Sequence, residues 1–472
     1  MSKKATIGLE IHAELKTDKK MFCYCKNNPH ESEPNTNICP VCMAHPGALP
    51  VPNKEAIKSM IKIGLALNGE ISMDFTEFDR KSYFYPDMPK AYQISQFKYP
   101  IVSHGSLLGV DITRVHLEED TARSIHGADH GDTMIDFNRS GVPLMELVTE
   151  PVIKDADQAR AFAKELQRVL RILGVSDANM EKGEMRVEAN VSIQNPDGSF
   201  GTKVEVKNLN SFKAVHQAIE YEIKRQSSLI DSGQKVVQET RGWDDSKAVT
   251  FSQRKKENSA DYRYFPDPDL PKLILQELTE FDLDTIRQSL PELPEDIRIR
   301  LSQTGIDDKT IDFYLDNPSY LRLLDNAVDE LGSAHTKLIS NYISSDISGA
   351  MAGEELASKF FSGFISIFKL VSADKISSRT AKDLISDVLK DSNLNIEEYV
   401  DKMSLWQVND TVKLREVLEE VISDNPSAVG DYKSGKEKAL GAIIGITMKK
   451  LKEQSISANP RLLTDLAKEL LR

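Results

Sequence analysis

The sequence of 472 residues predicts an α+β protein, in which a mixed α/β part precedes a helical part. Apolar and polar residues alternate with period two at 185–193 and 202–209, a pattern typical of strands. Apolar residues recur at three- and four-residue spacing at 157–173 and 213–230, which is typical of amphipathic helices. After the stretch LPELPEDI at 290–297, strand patterns nearly vanish and helical patterns follow one another.

The length of the chain exceeds what one hydrophobic core usually organises, so more than one domain is expected. The prolines and acids of 290–297 indicate one boundary, and a second break falls near 400–410. We therefore predict a mixed α/β domain, a helical domain and a small helical tail, at 1–292, 293–405 and 406–472.

Composition and charge limit the class of protein. The start of the chain lacks the apolar run of a signal peptide, and no apolar stretch approaches the length of a membrane span. We therefore expect a soluble cytoplasmic protein with no membrane contact. The net charge is −13, but residues 429–472 contain nine Lys or Arg against five Asp or Glu. Any contact with RNA is expected to concentrate at this end of the chain.

The first strand candidate, GLEIHAEL at 8–15, alternates apolar and ionisable residues. Alternation along a strand directs Glu10, His12 and Glu14 to one face, with neighbours roughly 6 to 7 Å apart. Two interpretations are open at this point. One is an ordinary strand with a polar outer face, and the other is a strand whose Glu10 and His12 converge on one cation.

All four cysteines lie close together in the sequence. They form a CxC pair and a CxxC pair separated by thirteen residues, at Cys23, Cys25, Cys39 and Cys42. This spacing is typical of a tetrahedral thiolate site, so it predicts structural zinc. Two disulfides are the alternative, but a chain without a secretion signal would keep them reduced. A redox CxxC is weaker, since it leaves the other pair unexplained.

Two segments combine strand patterns with many polar residues. FDRKSYFYPDMPKAYQISQ at 78–96 places aromatic residues beside Arg80, Lys81 and Lys90, which suits a nucleotide or an RNA end. A plain aromatic core with solvated lysines is the alternative. Further carboxylates follow at Glu118, Glu119, Asp120, Glu146 and Glu150. Because Mg²⁺ binds through a few carboxylates and substrate phosphates, this set fits metal-assisted phosphoryl transfer.

The sequence contains several long and particular motifs: GLEIHAEL, FDRKSYFYPDMPKAYQISQ, HLEED, DFNRSGVPLMELVTEP, GTKVEVKNLNSF, DYRYFPDPDLP and, near the C-terminus, ANP. Together they closely resemble the B subunit of the glutamyl-tRNA(Gln)/aspartyl-tRNA(Asn) amidotransferases. The resemblance runs nearly from end to end.

The resemblance implies a cradle-shaped catalytic domain, a helical domain and a tail similar to the YqeY fold. It also implies a heterotrimer with an amidase A subunit and a small C subunit. In this family the B subunit uses ATP to phosphorylate the side-chain carboxylate of glutamate, or aspartate, mischarged on tRNA(Gln) or tRNA(Asn). Ammonia from the A subunit then displaces the phosphate.

The site residues implied by the resemblance can be named in this chain. The magnesium ligands would be Glu10, His12, Glu119 and Glu146. Lys81 and Arg139 would lie near the ammonia path or the phosphates, and the four cysteines match the zinc-containing members. One tension remains, because a regular strand places Glu118 on the face of His116 and directs Glu119 to the opposite face. Following the resemblance requires the strand to end or bulge at Glu119.

Two other functions compete with this interpretation. A non-catalytic scaffold that binds tRNA would have no need of converging metal ligands. A stand-alone ATP-dependent ligase would need its own source of ammonia, and the sequence shows no nucleophile motif for glutamine hydrolysis.

Overall fold

The computed structural model describes residues 4–30, 33–126, 132–195, 197–255, 262–408, 411–453 and 457–471. The chain divides into two compact units, 1–297 and 298–472. The first combines a large sheet with helices and the second is mainly helical, so the predicted α+β class is confirmed. The three-domain division stays a prediction.

The first unit is built around a mixed sheet of thirteen strands. The order along its main path is β14-β13-β12-β11-β1-β10-β7-β4-β3-β15; β5 pairs with β2 and β7, β6 pairs with β7, and β8 and β9 form a separate ribbon. The strands are β1 (Ala5–Glu14), β2 (Glu70–Ile71), β3 (Asp79–Ser82), β4 (Tyr92–Ser95), β5 (Val102–Ser103), β6 (Ser106–Leu107), β7 (Val110–Glu119), β8 (Arg123–His126), β9 (Thr133–Asp136), β10 (Pro143–Thr149), β11 (Met185–Ile193), β12 (Val204–Leu209), β13 (Glu239–Asp244), β14 (Val249–Lys255) and β15 (Phe265–Pro266).

Strand β1 lies at the centre of this sheet, antiparallel to β10 on one side and to β11 on the other. Its apolar residues Ile7, Leu9, Ile11 and Ala13 are fully buried. Because side chains alternate along a strand, its polar residues all point to the opposite face. The sheet therefore has one apolar face and one face with buried polar groups.

Helices cover the apolar face. They are α1 (Lys54–Ala66), α2 (Ala156–Ile172), α3 (Phe212–Asp231) and α4 (Leu283–Gln288). Asp155 caps α2 by accepting a hydrogen bond from the Gln158 N–H, and Ser211 caps α3 in the same way through the Ala214 N–H. Both helices confirm the predictions from apolar spacing, and their apolar residues join those of β1 and β11 in one core.

In its described residues, the second unit contains short helices and one pair of strands. The helices are α5 (Pro294–Gln303), which begins before the boundary, α6 (Asp308–Asp316), α7 (Pro318–Leu331), α8 (Thr336–Asn341), α9 (Ser348–Met351), α10 (Phe361–Ser372), α11 (Ser378–Lys390), α12 (Ile396–Lys402), α13 (Thr411–Asp424), α14 (Pro426–Lys433), α15 (Lys438–Glu453) and α16 (Pro460–Leu470). The strands β16 (Gln407–Val408) and β17 (Ser457–Ala458) pair in parallel, so the tail is not helical throughout.

The last helices have a core of their own. Leu414, Leu418, Ile443, Leu451 and Leu463 are fully buried there, from α13, α15 and α16. Among the described residues, none of the helices combines the length and apolar character needed to cross a membrane.

Candidate functional site

The polar face of the sheet brings ionisable residues of three adjacent strands side by side. His12 on β1 lies opposite Glu146 on β10, and Glu146 lies opposite His116 on β7. Glu10 is two positions before His12 on β1, and Glu118 is two positions after His116 on β7, so each shares the face of that histidine. Strand register therefore brings residues of β1 beside those of β7 and β10, which lie far from β1 in the sequence.

Short distances connect these five residues, which we call the carboxylate–imidazole cluster. Nε2 of His12 lies 3.3 Å from Oε2 of Glu146 and 4.0 Å from Oε2 of Glu118. Oε1 of Glu10 is also 4.0 Å from this nitrogen. Nε2 of His116 lies 3.5 Å from Oε1 of Glu118 and 3.6 Å from Oε2 of Glu146.

Two overlapping groups within the cluster have the geometry of a metal site. Ligand atoms of Glu10, His12 and Glu146 lie within 4.8 Å of one another, as do those of His116, Glu118 and Glu146. Oε1 of Glu118 is buried, and its nearest donor, Nε2 of His116 at 3.5 Å, is too far for a normal hydrogen bond. A buried carboxylate oxygen with so weak a donor is costly, so this atom fits a bound cation.

The charges of the cluster control its protonation. Burial alone lowers the pKa of His12, but the hydrogen bond and charge of Glu146, with the other carboxylates, raise it to about 9. Burial, followed by the charge of Glu146, raises the pKa of Glu10 to about 7. Without a metal the cluster therefore holds protons near neutral pH, which a cation must displace.

Glu118 and Glu146 are ionised. Burial opposes this, but the Lys81 ammonium holds the pKa of Glu118 below its usual value. Burial likewise opposes ionisation of Glu146, whose pKa is held well below its usual value mainly by His116 and His12. Against the effect of burial, the charge of Glu118 raises the pKa of Lys81. Lys81 is thus a cation beside two carboxylates whose pKa values are lowered.

Glu119 lies outside this cluster. Its Oε1 accepts the Ile94 N–H at 2.9 Å, and its carboxylate forms an ion pair with Lys90. Strand β7 ends at Glu119 and keeps a regular register with β10 from Arg114 to Glu119, so the Glu119 side chain points to the face opposite that of Glu118 and His116. Of these two neighbouring carboxylates, Glu118 lies in the cluster and Glu119 does not, whereas the magnesium ligands implied by the resemblance stay a prediction.

Arg139 belongs to a neighbouring group with Glu14, Asp120 and Arg186, which we call the arginine–carboxylate network. Arg139 donates from Nε to the Thr121 carbonyl at 3.0 Å and lies 3.7 Å from Asp120. Arg186 donates to both oxygens of Asp120, at 3.2 and 3.1 Å. Burial, followed by the charge of Asp120, raises the pKa of Glu14 to about 8. The structure therefore separates Arg139 from Lys81, which the sequence could not do.

Aromatic rings flank the Lys81 side of the cluster. The Lys81 ammonium lies 5.1 Å from the centre of the Tyr262 ring, within the range of a cation–π contact. Phe97 stacks on Tyr264 with centroids 4.1 Å apart. Phe84, which follows β3 in the sequence, is 84% exposed.

The four cysteines come together near the end of β1, and none of them forms a disulfide. Their four Sγ atoms lie within 4.8 Å of one another, and those of Cys39 and Cys42 are 3.8 Å apart. Ligands about 2.3 Å from a tetrahedral zinc would lie about 3.8 Å apart, so the sulfurs fit this metal. The hydrogen bond from Cys23, and also the Lys20 ammonium, lowers the pKa of Cys42 to about 5.

Two members of the site were not selected from the sequence. His116 belongs to the carboxylate–imidazole cluster, and its alternation with Glu118 on β7 was the available signal. Glu188 on β11 lies opposite Glu10 and forms a further carboxylate group with Glu205. The alternation of MRVEANVSI identified its strand, but not the strand beside it.

Known proteins are similar to this chain over nearly its whole length. Residues 5–280 match the GatB/GatE catalytic domain, and residues 322–471 match the GatB domain. The chain is 42% identical to the B subunit of the aspartyl/glutamyl-tRNA(Asn/Gln) amidotransferase of Thermus thermophilus, over 99% of both chains. The protein of the same name from Crocosphaera subtropica is 41% identical, over 99% of this chain and 97% of that protein. The chloroplastic/mitochondrial B subunit of the glutamyl-tRNA(Gln) amidotransferase of Oryza sativa is 40% identical, over 99% of this chain and 88% of that protein.

Proposed function

The chain belongs to the GatB family, and from this membership and the geometry of the site we propose that it is the B subunit of a tRNA-dependent amidotransferase. It acts as a ligase on mischarged tRNA in protein biosynthesis. ATP first phosphorylates the side-chain carboxylate of glutamate on tRNA(Gln), or of aspartate on tRNA(Asn). Ammonia then replaces the phosphate and gives the amide.

The observation that supports this chemistry most directly is the carboxylate–imidazole cluster beside Lys81. In the first step, an oxygen of the aminoacyl carboxylate attacks the γ-phosphorus, the bond to the β-phosphate oxygen breaks and ADP leaves. In the second step, the ammonia nitrogen attacks the carbon of the phosphorylated side-chain carboxyl group, phosphate leaves, and the nitrogen loses a proton. Catalysis of phosphoryl transfer is mostly positioning and charge stabilisation, which fixed charges supply.

We assign the magnesium site to Glu10, His12, Glu118 and Glu146. When bound, the ion would neutralise charge that develops on the transferred phosphoryl group. The fit rests on two overlapping groups of possible ligands that share Glu146, one with Glu10 and His12 and the other with His116 and Glu118, and on the buried Glu118 oxygen that has no normal hydrogen bond. Lys81 would contact a phosphate of ATP, a role that its charge and its position beside the carboxylates and the Tyr262 ring support. Arg139 would act through Asp120, away from the phosphates.

Zinc is proposed as a structural cofactor of the four cysteines, held by Cys23, Cys25, Cys39 and Cys42. A closed site of four thiolates leaves no open position for substrate, so it would stabilise the loop after β1. Elemental analysis of the purified chain should find one zinc per molecule. Protein that is folded and active without stoichiometric zinc would contradict this assignment.

The remaining partners follow from family membership and charge. We propose a heterotrimer with an amidase A subunit, which generates ammonia from glutamine, and a small C subunit, acting in the cytoplasm. The tail at 406–472, following the helical domain at 293–405, would bind the body of the tRNA. Its support is the excess of basic residues at 429–472 within an acidic chain.

The central experiment replaces Glu146 by Gln in the assembled complex. Removal of this charge should abolish formation of phosphorylated aminoacyl-tRNA, trapped without an ammonia donor, while tRNA binding and basal glutaminase activity persist. Glu150→Gln is the matched control, because Glu150 is exposed just after β10 and contacts Thr113. If Glu146→Gln forms the phosphorylated species at the wild-type rate, the chain is a scaffold whose partner performs the chemistry.

A further inference from the structure

Lys20 is a lysine with no exposed surface, close to the four cysteines. Its Nζ lies 3.0 Å from the Asn37 carbonyl oxygen, 3.4 Å from that of Phe137 and 4.0 Å from Sγ of Cys42. These are its polar partners among the described residues, and none is a carboxylate. A buried ammonium is costly unless a negative charge lies nearby, so its placement needs an anionic neighbour.

A zinc ion held by four thiolates has a net charge of −2, which makes the four-cysteine site such a neighbour. We propose that the Lys20 ammonium is the outer-sphere counter-ion of this metal site and joins it to the turn that contains Arg139. This inference rests on the zinc assigned above. Outer-sphere partners of metal ligands typically contribute 10- to 100-fold to metal affinity.

The connection to the turn is a set of short hydrogen bonds between the cysteine loop and residues 135–141. The Asn37 N–H donates to Oδ1 of Asn138 at 2.9 Å, and the Phe137 N–H donates to Oδ1 of Asn35 at 2.7 Å. Oγ of Ser140 donates to the Cys42 carbonyl at 3.2 Å. Lys20 spans both segments, because one of its carbonyl partners lies in each.

This turn also supports the arginine–carboxylate network. Arg139 lies between the two anchored residues Asn138 and Ser140, and its guanidinium contacts Asp120. Loss of the metal, or of the Lys20 charge, would loosen the turn and with it the position of Arg139. Lys20 is therefore a positioning residue and touches no substrate.

The test compares Lys20→Gln, Lys20→Met and the control Lys16→Met in the full-length chain purified with zinc. Lys16 is a suitable control because its side chain is 63% exposed and pairs with Asp177. Glutamine keeps a donor for the carbonyl oxygens but lacks the charge. The rate of zinc transfer to a colorimetric chelator should rise 10- to 100-fold in both Lys20 variants and stay unchanged in the control.

Hydrogen exchange of peptides within 133–145 provides a second readout. Exchange should be faster in zinc-loaded Lys20→Gln than in the wild type, because the turn has lost one anchor.

If wild-type chain contains zinc and Lys20→Gln releases it at the wild-type rate, the counter-ion role is overturned. If release is faster but exchange is unchanged, the connection to the turn is overturned. Absence of zinc from the wild type would overturn the zinc assignment itself, and this proposal with it. Where Lys20→Met does not fold, Lys20→Gln decides.

Discussion

Glu118→Gln should weaken Mg²⁺ binding far more than Glu119→Gln, although the two residues are adjacent. Oε2 of Glu118 lies 4.0 Å from His12, whereas Glu119 is paired with Lys90 and the Ile94 N–H. The first substitution removes a charge from the carboxylate–imidazole cluster. The second removes a charge from a buried ion pair outside it.

The charges involved give the expected size of the two effects, on the Mg²⁺ dissociation constant and on the free energy of unfolding. Two unit charges about 4 Å apart interact by about 4 kcal/mol at an effective dielectric constant of about 20. Mg²⁺ carries twice that charge, but Lys81 and bound water offset part of the attraction. A loss of about 3 to 4 kcal/mol corresponds to a dissociation constant roughly 10²- to 10³-fold higher for Glu118→Gln. Breaking the Lys90–Glu119 pair should instead lower the free energy of unfolding by about 3 to 5 kcal/mol.

Both quantities can be measured on the same preparations. Titration with Mg²⁺, or with Mn²⁺ as a paramagnetic substitute, gives the dissociation constant, and denaturant unfolding gives the stability. Folded Glu119→Gln should bind the metal within about threefold of wild type. If Glu119→Gln loses metal affinity and Glu118→Gln does not, the assignment from strand geometry is wrong and the ligand set implied by the resemblance is right.

Three further outcomes are expected. The pKa of His12 is about 9 without metal, and Mg²⁺ requires the neutral ring. The affinity for Mg²⁺ should therefore rise about tenfold per pH unit from pH 7 to 9 and then level off. An affinity that does not change with pH would contradict this. Deleting residues 411–472 should raise KM for tRNA and make tRNA binding less dependent on salt, while basal glutaminase activity persists. Unchanged tRNA affinity would rule out the proposed role of the tail. Leu418→Ala truncates a fully buried side chain in the core of the last helices, so calorimetry should show that the free energy of unfolding falls by about 2 to 5 kcal/mol. A decrease below about 1 kcal/mol would mean that this core is not tightly packed.

Local patterns predicted the secondary structure well because burial has a direct periodic signature. The predicted helix at 157–173 is observed at Ala156–Ile172, and the strand at 185–193 is observed with the same bounds. Alternation also placed Glu118 with His116, and the structure agrees. The resemblance implied Glu119, but a shift of one residue on a strand reverses the face, so matching motifs alone could not decide.

The neighbours of each strand could not be predicted from local patterns. Glu10 faces Glu188 only because β1 pairs with β11, and alternation does not state which strands pair. The same holds for the position of Lys20 beside Cys42, because a lysine in the sequence is normally expected to be exposed. Such residues become visible only when distant segments are packed together.

The central place of the first strand has a consequence for synthesis of the chain. Ala5 pairs with Ile193, so β1 gains its second neighbour only after about 190 further residues have been translated. At about 5 to 20 residues per second, this delay is roughly 10 to 40 seconds. Until then the apolar residues Ile7, Leu9 and Ile11 lack part of the packing that buries them. The nascent chain is therefore expected to depend on holding chaperones, and production in cells should fall when ribosome-associated chaperones are limiting.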